Sequence, residues 1–404
     1  MANTITDPKQ IDALLSRAVD TVYPTKEKMR EALLAGAKLR IYTGIDPTSP
    51  DLHIGHTLWM WKLKEFQDMG HEVILLMGSF TAMIGDPTDK LATRKQLTKK
   101  EVIANTKNYQ KAASKILRFT GKNAVKVMWN DKWLAKMKLG DLLPLMAHFT
   151  VQQMMERDMF DKRMTEGKPI GLHEFLYPLM QGYDSVAMDV DLEIGATDQT
   201  FNMLAGRTLQ RVINNKEKFV LTTPLLTDAN GKKIGKSEGN VIGILDEPSD
   251  LFGKIMALGD DAIFPCFEYA TRVDMGRINT MKQVMKDGGN PRDAKMALAE
   301  ELVRLYHGEK AAKEARAHFE SVFQKHQMPE DMPLVHAGAA KMNILDLLIL
   351  AKLAESKSDA RRVVEQGGAK IDSVAVGGIE AMIDIPKEGL ILQRGKRQFA
   401  RVKP

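Results

Sequence analysis

Two histidines three residues apart, His53 and His56, carry the first chemical signal of this chain. They end the run Tyr42-Thr43-Gly44-Ile45-Asp46-Pro47-Thr48-Ser49-Pro50-Asp51-Leu52-His53-Ile54-Gly55-His56, in which an apolar strand passes through a turn-rich loop into a helix start. Their spacing puts both imidazoles on one helical face. The free N–H groups and the dipole of a first helical turn attract anions. Two neutral imidazoles and the Thr48 hydroxyl can donate to phosphate oxygens there, and Gly55 admits a base or ribose close to the backbone. Alone, His-x-x-His reads as a surface turn, with a metal pair as the next alternative. The strand, loop and helix start around it turn the reading towards a nucleotide.

Four further runs carry polar groups suited to the same task. Gly231-Lys232-Lys233-Ile234-Gly235-Lys236-Ser237 sets lysines in a Gly-containing loop, where they can neutralise a leaving pyrophosphate. Its glycine spacing is not that of a Walker loop, and by itself it reads as a surface turn. Gly85-Asp86-Pro87-Thr88-Asp89-Lys90, with Arg94 beyond, offers a carboxylate for an amino group and cations for phosphate; the alternative is an ordinary turn. Tyr177, Gln181 and Asp184 share one helix face, and such a polar stripe either lines a pocket or faces water. Glu193-Ile194-Gly195-Ala196-Thr197-Asp198-Gln199 ends a strand with glycine and a carboxylate suited to ribose hydroxyls, or simply turns into a helix.

The elements that must position these groups alternate. Residues 39–44, 72–78, 125–129 and 218–221 read as buried strands, and 54–69 and 99–117 as helices. That alternation predicts a parallel α/β sheet with ligands at the strand C-terminal ends. Residues 134–187 break the rhythm as a Met-rich helical insertion between the halves of the sheet, an adaptable core or oligomer interface. From about 248 the chain reads as helical, 328–333 as a linker, and the last sixty residues as a small unit of one helix and short strands.

Composition sets the outer limits. The 404 residues carry 58 Lys and Arg against 52 Asp and Glu, a net charge of +6, with 44% hydrophobic residues. Disorder, collagen and coiled coil are excluded, and no apolar run is long enough for a membrane helix. The first residues lack the pattern of a signal peptide. One cysteine, Cys266, leaves no internal disulfide and fits a reducing cytosol. Residues 88–122 hold ten Lys and Arg against two acids, and 341–404 hold twelve against eight, which suggests polyanion partners or solvated helix faces.

Together the motifs resemble one family, the bacterial-type tyrosyl-tRNA synthetases of the first synthetase class. His53-Ile54-Gly55-His56 matches the HIGH signature, and Lys233-Ile234-Gly235-Lys236-Ser237 matches the looser KMSKS-type loop. Tyr-x-Gly-x-Asp-Pro-Thr, Gly-Asp-Pro, Tyr-x-x-x-Gln-x-x-Asp and Thr-Asp-Gln stand around and between them in the family's order. The segments 356–362 and 368–372 resemble an S4-like RNA-binding domain, so the likeness spans essentially the whole chain.

The resemblance implies a Rossmann-like parallel-sheet catalytic domain over 1–245, with 134–187 as a helical insertion and dimer interface. An α-helical anticodon-side domain over 246–328, a linker over 329–341 and a small α+β S4-like domain over 342–404 would follow. It implies that L-tyrosine is activated with ATP and Mg²⁺, then transferred to tRNA(Tyr), by a cytoplasmic homodimer with no membrane partner and no resident metal. Tyr42 and Asp184 would meet the substrate phenol. Asp86, Tyr177 and Gln181, with Thr81 nearby, would hold its ammonium group, and Gln199 would lie near its carboxylate. Gly44, Asp46, Gly55, His56, Gly195 and Asp198 would surround the adenosine. Thr48 and His53 would meet the γ-phosphate, while Lys90, Arg94, Lys233 and Lys236 would close on pyrophosphate. Lys357, Arg361, Arg362 and Lys370 would touch RNA. Thr43, Asp89 and Ala196 depart from the common pattern without removing a group the chemistry needs. Tryptophanyl-tRNA synthetase is the nearest alternative, and the Tyr42, Gln181 and Asp184 set argues against it. Another HIGH-type nucleotidyltransferase and a non-catalytic RNA-binding protein are the others.

Overall fold

Short apolar runs bounded by turn residues build the central sheet. They are β1 (Val22–Tyr23), β2 (Arg40–Ile45), β3 (Glu72–Met77), β4 (Lys126–Trp129), β5 (Leu192–Ala196) and β6 (Phe219–Thr223). Their order across the sheet is β1-β6-β5-β2-β3-β4. The pairs from β6 to β4 are parallel, and β1 runs antiparallel on the edge of β6. Strands β3 and β5 are almost continuously buried, as parallel strands covered on both faces must be. The order turns at β2: the chain continues to β3 and β4 on one side, and β5 and β6 form on the other. A crevice opens at such a switch point, beyond the strand C-terminal ends. The computed structural model describes residues 4–49, 51–86, 98–228, 231, 233–234, 236–237, 240–321, 332–372, 374–395 and 398–404.

Helices close the sheet. A single 3₁₀ turn, Ile54–His56, feeds the helix Thr57–Asp68, whose buried face includes Leu58, Met60, Leu63 and Phe66. Thr98 and Glu101 form a capping box at the start of Lys99–Ala113. The helices Leu172–Met188 and Thr200–Asn214 pack at glycines: a Cβ on Gly182 would stand 3.1 Å from the backbone nitrogen of Gly206. The insertion is helical as expected, with Leu139–Met146, Val151–Met155 and Asp158–Thr165 ahead of Leu172–Met188. No helix among the described residues is long and apolar enough to cross a membrane.

The chain divides into two compact units, Met1–Arg316 and Ala317–Pro404. The helical segment expected as its own domain from 246 therefore belongs with the sheet. The reason is visible in two side chains. The Arg17 guanidinium donates to the carbonyls of Phe267, Glu268, Thr271 and Val273, and Trp61 Nε1 donates to Ala270 O at 3.1 Å. Cys266 lies in this shared core, and burial pushes its thiol up to about 12.

In the second unit a five-stranded sheet packs against the helices Ile344–Leu350 and Lys357–Glu365. Leu347, Leu348, Val364, Leu392 and Val402 fill its core. The expected linker over 329–341 is corrected here: Leu334–His336 is a strand, with Val335 in register beside Val402. Leu334 and Val335 extend into the edge of that sheet instead of looping; residues 329–331 lie outside the described residues.

Candidate active site

The C-terminal ends of β2, β3 and β5 converge on a cavity of about 530 Å³. Asp46 follows β2 directly. Its Oδ1 accepts from Thr81 Oγ1 at 2.6 Å and its Oδ2 from Tyr177 OH at 2.8 Å. The turn after β3 must be bare for this: a Cβ on Gly78 would lie 1.8 Å from Asp46 Oδ1. Thr48 and Ser49 continue the loop, and the helix Lys99–Ala113 clamps it. Asn105 donates to Pro47 O at 2.8 Å, and the Tyr109 hydroxyl lies 3.0 Å from Ser49 Oγ.

His53 caps the 3₁₀ turn and faces the cavity with His56. The Gly55 N–H donates to His53 Nδ1 at 3.1 Å, and the His53 N–H donates to His56 Nδ1 at 3.1 Å. With both Nδ1 atoms accepting, each neutral ring carries its proton on Nε2, the tautomer that donates. The two rings stand 3.9 Å apart. The segment after the lysine loop returns beside them: Ile54 N donates to Ile242 O at 2.9 Å, and His53 bridges to Gly243.

Asp184 sits at the other end, on the helix Leu172–Met188. Trp133 Nε1 donates to its Oδ1 at 2.7 Å and Asn130 Nδ2 to its Oδ2 at 3.2 Å. Burial pushes this carboxyl well above the usual range, against the pull of those two donors. Tyr177, on the same helix face, is raised well above its ordinary value by burial and then by Asp46. Gln181 lines the cavity between them, bonded to Glu193 and Asn202. The helical spacing of 177, 181 and 184 thus does form one polar stripe on the cavity wall.

Past β3, Asp86 accepts from Gln199 Nε2 at 2.7 Å, and Arg157 of the insertion approaches it at 3.7 Å. At the end of β5 and just beyond it, Gly195, Asp198 and Gln199 line the cavity. A Cβ on Gly195 would stand 2.9 Å from Met203 Sδ, so Met203 packs this closely only because the residue is bare. Lys233 reaches across the mouth, its Nζ 2.7 Å from Asp198 Oδ2. Gly44, Thr48 and Gly55 complete the wall. Among the described residues no group of three or more His, Cys, Asp or Glu side chains is placed to hold a metal ion.

Four of the residues expected at this site are absent from the described cavity lining. Tyr42 does not line the cavity. Its ring packs with Ile74, Leu76, Met188 and Val190, and its hydroxyl lies 2.9 Å from Ser185 Oγ, behind the wall. Beyond Ser185 lies the buried pair of Lys218 and Glu193, on the side to which the Tyr42 hydroxyl is turned. Lys90 and Arg94 lie outside the described residues. Lys236 is described only through its backbone, where Lys236–Ser237 pairs with Asn240–Val241.

The proposed RNA contacts fall in the other unit. Arg361 is exposed, Arg362 pairs with Asp359 at 2.7 Å, Lys357 pairs with Asp346 at 3.0 Å, and Lys370 is half-buried in a strand. Sequence reasoning gave no role to Asn130, Trp133, Arg157, Glu193 or Lys218. Glu193 and Lys218 carried a signal, a charged residue within a run read as a buried strand.

Comparison with known proteins identifies the family. The family described as tRNA synthetases class I (W and Y) matches residues 34–324, and a tyrosine–tRNA ligase C-terminal domain family matches 324–402. A tyrosine–tRNA ligase of Moorella thermoacetica is 42% identical over 394 residues, 96% of this chain and 94% of the relative. That of Thermotoga maritima is 42% identical over 400 residues, 98% of each. Among solved structures, a truncated mitochondrial tyrosyl-tRNA synthetase of Coccidioides posadasii shares the fold. Its TM-score is 0.62 at 24% identity, over 77% of this chain and 94% of that one. An Archaeoglobus fulgidus tyrosyl-tRNA synthetase crystallised with L-tyrosine gives 0.58 at 21% identity, over 77% and 100%. This chain belongs to the class I tRNA synthetases of the tryptophan and tyrosine group, among the tyrosine–tRNA ligases.

Proposed function

We propose that the cavity performs tyrosine activation and transfer with the following division of labour. Tyrosine lies deep, with its phenol against Asp184. Its ammonium meets Asp86, Tyr177 and Gln181, with Thr81 close by, and its carboxylate faces Gln199. ATP spans the mouth. Its adenosine lies along Gly44, Asp46 and Gly55, and its ribose meets His56, Gly195 and Asp198. The observation that carries this reading is the buried Asp184, held by Trp133 and Asn130 at the closed end of the polar stripe. An acceptor fixed there discriminates a phenol from a benzene ring.

The tyrosine carboxylate is already a nucleophile, so the first step needs no general base. It attacks the α-phosphorus, the bond to the bridging oxygen breaks, and pyrophosphate leaves with the electron pair. Charge grows on the leaving group, so cations that reach it there lower the barrier most. Thr48 and the Nε2–H groups of His53 and His56 are suited to phosphate oxygens. Lys233 and Lys236 supply mobile charge, joined by Lys90 and Arg94. Magnesium arrives as part of the MgATP substrate. A terminal ribose hydroxyl of tRNA(Tyr) then attacks the adenylate carbonyl and releases AMP.

The second unit, with Lys357, Arg361, Arg362 and Lys370, contributes to RNA binding. The enzyme works in the cytoplasm as a homodimer. Support for pairing comes from the insertion, where Leu139 and Leu172 are 72% and 85% exposed and Leu143, Val151 and Met164 are exposed as well. The test of the activity is ATP–pyrophosphate exchange with each amino acid supplied separately. Exchange with tyrosine alone is expected. Exchange with tryptophan would overturn the side-chain assignment, and none with any amino acid would overturn the activity.

A further inference from the structure

Behind the amino-acid end of the cavity lies a charge pair that none of these roles uses. Lys218 and Glu193 are 0% and 2% exposed. Lys218 Nζ contacts Glu193 Oε2 and donates to Ser185 Oγ at 2.7 Å. Room for the ammonium exists because residue 206 is glycine: a Cβ there would stand 2.6 Å from Lys218 Nζ and 2.7 Å from Ser185 Oγ. Glu193 also forms part of the cavity wall, and its Oε1 accepts from Gln181 Nε2 at 3.1 Å. On the other side, Gln181 Oε1 accepts from Asn202 Nδ2 at 3.0 Å.

Stability does not account for this pair, since apolar residues of similar volume often serve a core as well or better. Its geometry gives a different account. A carboxylate only accepts, and the Asn202 amide nitrogen only donates. Between them the Gln181 amide has one orientation, NH₂ towards Glu193 and carbonyl towards Asn202. A neutral amide at 193 could donate or accept, so that end would no longer select an orientation, and Asn202, itself bonded to Gln199 Oε1 at 3.1 Å, would hold the Gln181 amide alone.

We propose that Glu193 and Lys218 are positioning residues for amino-acid selection: the buried pair fixes the polarity of the Gln181 amide, so that its carbonyl oxygen stays available to the substrate ammonium. This rests on the placement of tyrosine given above. Lys218 holds the carboxylate, Glu193 orients Gln181, and neither touches a reacting atom.

The test compares Lys218→Met with the double variant Lys218→Met/Glu193→Gln in tyrosine-dependent exchange. Lys218→Met strands a buried carboxylate and is expected to lower the melting temperature. The double variant strands nothing and is expected to melt near the unmodified protein. Its tyrosine KM should rise about tenfold, the loss of one hydrogen bond to a charged group, while its ATP KM stays unchanged. A wild-type tyrosine KM in a stable double variant would overturn the proposal, and so would equal changes in both KM values. Failure of the unmodified enzyme to exchange with tyrosine would instead strike the tyrosine assignment, so the two failures are separable.

Discussion

Lys233 and Asp198 are joined by an ion pair, Nζ to Oδ2 at 2.7 Å, across the mouth of the cavity. The lysine comes from the Gly231–Ser237 loop and the carboxylate from the end of β5. On the proposed placement, ribose hydroxyls at Asp198 would compete directly with this lysine, and nucleotide binding would release its charge for the leaving pyrophosphate.

Lys233→Ala should therefore slow the chemical step and spare amino-acid binding. Loss of one preorganised charge at the transition state costs about 10²-fold or more in rate. Pre-steady-state adenylate formation should fall by that factor, with tyrosine affinity at equilibrium unchanged. Normal adenylate formation would remove Lys233 from its assigned role.

At the closed end, Asp184→Ala should relax the preference for tyrosine over phenylalanine. The alanine leaves Trp133 Nε1 and Asn130 Nδ2 without their acceptor and leaves the substrate hydroxyl without its partner. Leaving the buried substrate hydroxyl without a partner costs about 1–3 kcal/mol, so the ratio of kcat/KM values should shrink about 5- to 150-fold. Circular dichroism checks that the variant is folded. Undiminished discrimination would move the phenol elsewhere.

What could be read in the sequence follows from how local each signal is. His53 and His56 lie within one turn, and Tyr177, Gln181 and Asp184 lie along one helix face, so spacing alone brings each set together. Strand and helix alternation likewise anticipated the parallel sheet. Lys218 and Glu193 are 25 residues apart, on either side of a helix, and meet only because β5 and β6 are adjacent. An acid within Leu192–Ala196 announces that a partner exists without naming it. Tyr42 shows the same dependence on tertiary packing: its hydroxyl meets Ser185, a partner 143 residues away that no local spacing announces. The boundary at 246 failed because Arg17, far away in sequence, ties the later helices to the sheet.

The insertion should mediate self-association. Leu143 is 57% exposed on the helix Leu139–Met146, and Leu172 projects at the start of the next long helix. Light scattering at micromolar concentration is expected to give twice the 45.2 kDa chain mass. Leu143→Glu/Leu172→Glu places charges on that surface and should shift the protein to monomer with its melting temperature nearly kept. A double variant that stays dimeric would place the interface elsewhere.

His71 makes stability depend on pH in a predictable direction. The ring is 1% exposed, its Nδ1 accepts from Leu39 N at 3.2 Å, and it packs edge-on against Phe66. Burial, then the charge of Lys38, pulls it down from 6.5 to about 4, while Asp191 opposes them. The folded protein therefore holds this ring neutral where the unfolded chain already binds a proton. Its contribution is fully present above pH 6.5 and is lost as the pH falls from there towards 4, up to about 3 kcal/mol. His71→Gln keeps an acceptor for Leu39 and cannot take up the proton. It should be less stable at pH 7, because the ring packing is lost, and its urea midpoint should decline less between pH 7 and 4. Equal declines in the two proteins would show that His71 is not the group that acid titrates.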